Sequence, residues 1–262
     1  MNFLINGWYD LKKTFQLKHI WFNLAISETK SSYKKTKLGP FWITLSTLVM
    51  ISAMGPLYSK LFNTELNEYF IYLACGFIFW DFTKGVILDT SRCYIDSAEI
   101  VMSNNFPRSI FIFKSIFKNI INLTHNLIII FFTIIIFGKN FGIIQLTFIV
   151  GLILSILNLA SFLCVISIFC TRFRDLIQII NNLMTVMFFL TPIIWHQDIL
   201  KDKIVFVYGN PFFLIIDSIR SPLMYNVFPF VTNFVLLLIF LIFLPINLYI
   251  FGKYKNKISL WL

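Results

Sequence analysis

The sequence predicts an all-α polytopic membrane protein with six transmembrane helices, an N-terminal amphipathic interface helix and a re-entrant hairpin on the outer side. Three observations predict it. Of the 262 residues, 58% are hydrophobic and 13% charged, too apolar for a water-soluble domain of that length, so part of the apolar surface must face lipid. Uncharged windows run over 38–59, 119–138, 140–171, 176–197 and 221–252, and each holds the about 20 apolar residues that cross a hydrocarbon core. In a six-span arrangement, seventeen of the 22 Lys and Arg fall on one side, which the positive-inside rule makes cytoplasmic. An odd number of spans would strand either the N-terminal lysine cluster or the Lys253–Lys257 tail outside.

Residues 1–37 form the first segment. Leu4, Trp8, Leu11, Phe15 and Phe22 recur at helical spacing opposite Lys12, Lys13 and Lys18, the pattern of a helix lying in the cytoplasmic interface; a helix packed on protein fits the same pattern. The transmembrane domain, 38–252, opens with span one (about 40–60), where Pro40 suits a first helical turn and Trp42 an interfacial anchor. Span two (about 69–88) contains Asp81 and Lys84. Two central charges cost up to about +5 to +7 kcal/mol against roughly −3 to −6 kcal/mol for its apolar residues. Spaced three apart, the two charges share a helical face on which they can pair.

The polar loop 89–108 follows, with Asp96–Ile100 as a short helix on the membrane surface. Span three (about 116–137) starts where Lys114 and Lys118 snorkel to the headgroups, and carries His125-Asn126 at membrane depth. A polar pair there is a functional candidate, a hydrogen bond to a neighbouring helix being the plainer reading. The turn Gly138–Gly142 leads to span four (about 143–170), and Thr171–Asp175 makes a short inner turn. Span five (about 176–195) closes on Thr191-Pro192 and Trp195. The outer segment, 196–226, holds an apolar stretch, 204–216, interrupted by Gly209, Asn210 and Pro211, which is too short to span and reads as a re-entrant hairpin. Lys60, Lys139, Lys201, Lys203 and Arg220 lie on the outer side. Span six (about 229–251) is kinked at Pro245, and 253–262 is a cytoplasmic tail.

Several function classes are excluded. The net charge of +10 comes from residues flanking spans, which suits anionic lipid headgroups and not nucleic acid. The four cysteines have no metal-ligand spacing, and no metal or cofactor is expected in the chain. His19, His125 and His196 lie at different depths without a nucleophile or zinc pattern, which argues against a membrane-embedded transferase. The Gly-Lys pairs at 138–139 and 252–253 are followed by Asn and Tyr, so no phosphate-binding loop for ATP exists. If transport is ATP-driven, the motor is another polypeptide. Phe, Trp and Tyr make up 18% of the chain; their faces suit sugar C–H surfaces as well as lipid.

The ordered motifs resemble the membrane subunits of ATP-binding-cassette exporters of bacterial surface polysaccharide, the O-antigen, capsule and teichoic acid group, and the O-antigen type most. The matching segments are Tyr33-Lys34-Lys35-Thr36-Lys37-Leu38-Gly39-Pro40-Phe41-Trp42, Phe106-Pro107 with His125-Asn126, Arg172-Phe173-Arg174-Asp175, Phe189-Leu190-Thr191-Pro192-Ile193-Ile194-Trp195, and Asn210-Pro211 with Arg220-Ser221-Pro222. They cover nearly the whole chain. The resemblance implies a homodimer in the bacterial inner membrane, both termini cytoplasmic, with two ATPase subunits that carry ATP and Mg. It implies export of polysaccharide linked to a polyprenyl pyrophosphate lipid. An exporter of other lipids or drugs with the same architecture is the alternative. The implied channel belt is Trp42, Tyr58, Phe62, Phe188, Phe189 and Trp195. The implied ATPase-coupling residues are Asp96, Ser97, Ala98, Glu99, Ile100, Arg172, Arg174 and Asp175. Lys34, Lys35 and Lys37, just inside the membrane, would meet the lipid pyrophosphate.

Overall fold

A computed structural model describes residues 3–34, 39, 41–137, 142–199 and 204–262, and all of its regular secondary structure is helical. The helices are α1 (Phe3–Gln16), α2 (Lys18–Tyr33), α3 (Phe41–Leu61), α4 (Leu66–Arg92), α5 (Ala98–Ser103), α6 (Ser109–Ile136), α7 (Phe148–Arg172), α8 (Asp175–Leu190), α9 (Ile204–Tyr208), α10 (Pro211–Tyr225), α11 (Phe230–Tyr254) and α12 (Ile258–Trp261). Among the described residues five helices are long and apolar enough to cross a membrane: α3, α4, α6, α7 with the turn before it, and α11. The chain is a multi-pass membrane protein.

Span five is the exception to the expected lengths. The segment assigned to it, about 176–195, divides into α8, which has 16 residues and starts at Asp175, and a non-helical turn from Thr191 to Trp195. The cause is Pro192. The residue before a proline is driven out of the helical region, and Thr191 sits at φ −94°, ψ 137°. At about 1.5 Å per residue, α8 alone is shorter than the roughly 30 Å hydrocarbon core. Spans two and three are longer than expected at the end where the chain termini lie, to Arg92 and from Ser109. The kink expected in span six falls within a continuous helix, α11, that includes Pro245.

Helix α4 is the axis of the bundle. It packs against α3, α6, α7, α8 and α10, and Tyr69 to Gly76 are buried nearly without a break, as a helix surrounded on all sides requires. Asp81 and Lys84 do not form the expected ion pair: the pairs among the described residues are Glu28 with Lys114 and Lys118, Asp89 with Lys118, and Asp10 with Lys255. Asp81 is exposed and faces a cavity, where a pairing between accessible charges contributes little.

The N-terminal arm is docked on protein. Gly7 of α1 faces the Leu248 carbonyl, and Gly252 faces the Phe3 carbonyl, so close that a Cβ at either position would collide with backbone. This brings both chain ends to one end of the bundle, called here the terminal end. There the Asp10 carboxylate, 6% exposed, accepts hydrogen bonds from the backbone N–H groups of Arg108 and Ser109, the Ser109 hydroxyl and the Lys255 ammonium. The first N–H groups of α6 have no partner within their own helix, and an acidic side chain from α1 supplies one. Helix α2 packs on α6 through Trp21 and Phe22 against Phe117, and through Glu28. Residues of the predicted lipid-facing stripe, including Trp8, Phe15 and Phe22, remain exposed, so the arm carries both an apolar outer face and a protein-packed inner one.

Candidate transport pathway and coupling surface

The far end of the bundle is organised by the turn after α8. Irregular backbone at membrane depth survives where its carbonyls are satisfied by protein, and those of Pro192, Ile194 and Trp195 have donors from elsewhere. The Tyr72 hydroxyl lies 3.0 Å from the Pro192 carbonyl and 2.7 Å from that of Trp195. Tyr69 donates to Ile194 at 2.8 Å, and the Arg220 guanidinium to Pro192 at 2.7 Å. Asn210 donates to the Thr191 hydroxyl and accepts from the Phe212 N–H, capping α10, which begins with Pro211.

Arg220, assigned from sequence to the outer segment 196–226, is 1% exposed. Its guanidinium lies 4.2 Å from the centre of the Tyr72 ring, a cation–π arrangement. His196 stacks on the other aromatic surface of this cluster, 3.9 Å from Tyr72. Burial and the Arg220 charge both hold its imidazole below the usual value. No short-range sequence signal reveals this network, because Tyr72, Pro192 and Arg220 lie on three separate elements.

The predicted apolar hairpin occupies α9, the turn Gly209-Asn210 and α10. Pro211 and Phe212 reach the middle of α4, where the Phe212 and Trp80 rings are 5.6 Å apart. The helix then runs back to Arg220 at the far end, buried from Phe213 to Met224 against α4, α7 and α11. It runs nine residues beyond the apolar stretch that ends at 216, to Tyr225: Asp217 is absorbed by hydrogen bonds from Ser221 and Thr232.

The predicted belt residues fall into two groups. Tyr58 stacks on Phe62 at 6.1 Å, and Phe62 continues to Tyr69. Phe188 meets Phe77, Trp80 and Phe189, and the Trp195 indole N–H donates to the Phe189 carbonyl. Helix α4 stands between the two groups, since α3 packs on α4 and α6 while α8 packs on α4 and α7. Met184 is the single fully buried side chain of α8. Its exposed face carries Gln178, Asn182, Thr185 and Phe189, spaced 4, 3 and 4 residues apart, a single helical stripe.

Trp42 lies apart from both groups, at the mouth of a cavity of about 600 Å³ between α3, α4 and α6. Ser46, Thr47, Asp81, Asp89, Asn119, Asn122 and Asn126 give this cavity a polar lining next to Met50, Phe77 and Phe82. His125, the candidate from sequence, bonds through Nδ1 to the Ile121 carbonyl of its own helix. Its neighbour Asn126 is the residue that faces the cavity.

At the terminal end Asp96, Glu99, Arg172, Arg174 and Asp175 are brought to one side by a contact that sequence reading missed, while Ser97 is buried and accepts from Lys114. The expected short helix forms two residues later than predicted, over Ala98–Ser103, with Asp96 and Ser97 in the preceding turn. Asp96, Glu99, Arg172, Arg174 and Asp175 are exposed; burial raises the Asp96 carboxyl against the pull of Arg92 and Lys114. Arg108 donates to the Val101 carbonyl of α5 and to the Ser259 hydroxyl of the tail. The tail continues through Trp261, whose ring lies 5.3 Å from the Arg172 guanidinium. Instead of trailing free, residues 253–262 thus bridge α5 and the turn after α7. Of the predicted pyrophosphate lysines, Lys34 is exposed at the end of α2; Lys35 and Lys37 lie outside the described residues.

Comparisons with known proteins agree with this architecture. The family described as ABC-2 type transporter matches residues 21–224. An O-antigen export system permease protein RfbA from Klebsiella pneumoniae is 22% identical, with 95% of this chain and 98% of the relative aligned. A second from the same organism is 21% identical over the same shares, and one from Myxococcus xanthus is 20% identical over 74% of each chain. With the match extending from α2 to the end of the far-end network, the chain belongs to the ABC-2 type transporter family.

Proposed function

We propose that this chain is the membrane subunit of an ATP-driven exporter of lipid-linked surface polysaccharide, acting as a homodimer with two ATPase subunits in the bacterial inner membrane. The observation that carries the reading is the stripe on α8. Gln178 donates to Asn182 and Thr185 to the Asn181 carbonyl, but the remaining amide donors and acceptors still face outward, and polar groups facing lipid are costly, so this stripe suits a partner or a water-filled space. The exposed faces of α3 and α8 are kept apart by α4 within one protomer. A second copy, with its α3 against this α8, supplies what both faces lack and lines a channel with Tyr58, Phe62, Phe188 and Phe189. Aromatic walls suit a glycan because they pack on sugar rings without fixing a single hydroxyl pattern. The names of the aligned relatives supply the substrate class.

In this reading α8 with the 191–195 turn makes the sixth crossing and both termini are cytoplasmic. The α9–α10 hairpin is re-entrant from the outer side. The terminal surface around Asp96–Ile100, Arg172, Arg174 and Asp175 meets the ATPase, which carries the ATP and Mg. Exposed Lys34, with Lys35 and Lys37 next to it in sequence, would meet the lipid pyrophosphate.

Deletion of the gene tests the reading. Lipid-linked glycan is expected to accumulate inside the cell while surface polysaccharide disappears, with both restored by the wild-type chain. Unchanged surface polysaccharide in the deletion strain would refute it, as would ATP turnover by the reconstituted complex that responds to drugs or other lipids but not to lipid-linked glycan.

A further inference from the structure

Helices α6 and α11 both pack on α7, and α1 crosses the two of them at the terminal end. Between them lies a groove of about 210 Å³, with α7 as its floor and Trp8, Leu11 and Phe15 of α1 at its mouth. It belongs neither to the α3–α8 belt nor to the coupling surface. Apart from the Trp8 indole, the polar side chains in its lining are Ser161 and Asn247, and the Asn247 amide donates to the Ser161 hydroxyl at 3.0 Å. An occupant therefore meets hydrocarbon walls. The groove also has a definite length. Along α7 it runs from Cys164 to Ile156, about 12 Å at about 1.5 Å per residue, against roughly 15 Å of hydrocarbon in one leaflet. It begins about one turn into α6, at Phe113, and ends near the middle of α11, at Phe240. A partner helix, about 10–12 Å across with its side chains, is too wide for it, whereas one acyl chain of a single leaflet matches it in length and chemistry.

The mouth selects the lipid. Trp8, Leu11 and Phe15 are shared with a shallow depression on the outer face of α1 that also takes in Lys12 and Gln16. Trp8 is 57% exposed, and an indole at the end of an apolar groove sits where aromatic anchors meet headgroups. No acidic side chain lines the groove or the depression. Lys12 is exposed and takes part in none of the ion pairs among the described residues. From Phe3 to Ser27 the sole acidic residue, Asp10, is buried and bound to Lys255, while Lys13 and Lys18 are exposed like Lys12. The arm thus presents uncompensated positive charge where a phosphate would lie. We infer that groove and depression together bind one anionic glycerophospholipid of the terminal-end leaflet. One acyl chain lies between α6, α7 and α11, and the phosphate meets Lys12. The bound chain completes the seat of α1, so the lipid is part of what holds the N-terminal arm on the bundle.

Native mass spectrometry of the full-length protein in detergent tests it, with dioleoylphosphatidylglycerol, dioleoylphosphatidylcholine and undecaprenyl pyrophosphate as probes. The wild type is expected to retain one phosphatidylglycerol more tightly than either of the others, although the two phospholipids carry the same acyl chains. Ala160→Phe, which puts a ring into the groove, is expected to weaken that binding about tenfold or more, as several methylene groups lose their contacts. Lys12→Gln, at an exposed side chain, is expected to weaken it about fivefold while leaving phosphatidylcholine unchanged, and decides the matter if the first variant does not fold. Equal retention of the two phospholipids, tighter retention of the polyprenyl pyrophosphate with the same residue dependence, or phosphatidylglycerol binding unchanged by either substitution overturns the assignment. The readout needs no glycan, ATP or ATPase, so its outcome is independent of the gene-deletion result.

Discussion

Asp10 connects four groups that are distant in sequence: two backbone N–H donors, a hydroxyl and an ammonium. Asp10→Ala would orphan the α6 N–H groups and leave Lys255 buried without its counter-charge, a loss of about 3 kcal/mol or more. The expected outcome is a clear fall in the thermal midpoint of the purified protein; a midpoint equal to wild type would show that water replaces the carboxylate. Arg220 illustrates the opposite problem of legibility. Charge alone assigns an arginine near a membrane to a loop, yet here one guanidinium is held by a carbonyl and an aromatic face contributed from other helices. Phe188, Phe189 and Trp195, by contrast, meet through contacts that are local in sequence.

Elements whose ends are set by local chemistry were readable to within a turn. Pro192 ends α8, and Asn210-Pro211 starts α10, each for a stereochemical reason visible in two residues. The short helix α5 starts later than its acidic residues suggested, and the tail's structure was invisible, since Ile258 and Trp261 look like ordinary interfacial residues until Arg108 and Arg172 are folded beside them. The bridge through Arg108, Ser259 and Trp261 makes a prediction about coupling. Truncation after Lys257 should leave the protein inserted but remove the dependence of ATP turnover on lipid-linked glycan in the reconstituted complex. Full stimulation by the truncated chain would mean that the tail only fills space.

For the whole molecule, charge parity leads to an expectation of an even count of crossings with both termini on one side; among the described residues five helices are long and apolar enough to cross, and α1 docks on α11 at one end of the bundle. What parity cannot convey is which helix faces remain unpartnered. If α3 and α8 of two protomers meet, Leu57→Cys in one copy and Val186→Cys in the other, both exposed toward the far end, should cross-link between chains after the four native cysteines are replaced. Cross-links confined to single chains would contradict the dimer.

The docking of α2 on α6 depends on pH. Burial raises the Glu28 carboxyl, but hydrogen bonds from and the charges of Lys114 and Lys118 outweigh this and hold it below its ordinary 4.5. A lowered carboxyl contributes stability that is present above 4.5 and lost as the pH falls through the lowered value. The difference in thermal midpoint between wild type and Glu28→Gln should therefore be steady at neutral pH and shrink in acid below 4.5. A difference that stays constant into strong acid would assign Glu28 a purely steric role.

The glycine-lined crossing of α1 on α11 joins segments that the ribosome makes far apart in time. Until Gly252 is made the seat for Phe3 and Gly7 does not exist, and Asp10 waits without Lys255. A nascent chain that stalls before Gly252 therefore displays an acidic residue and an apolar stripe that the folded bundle conceals in part.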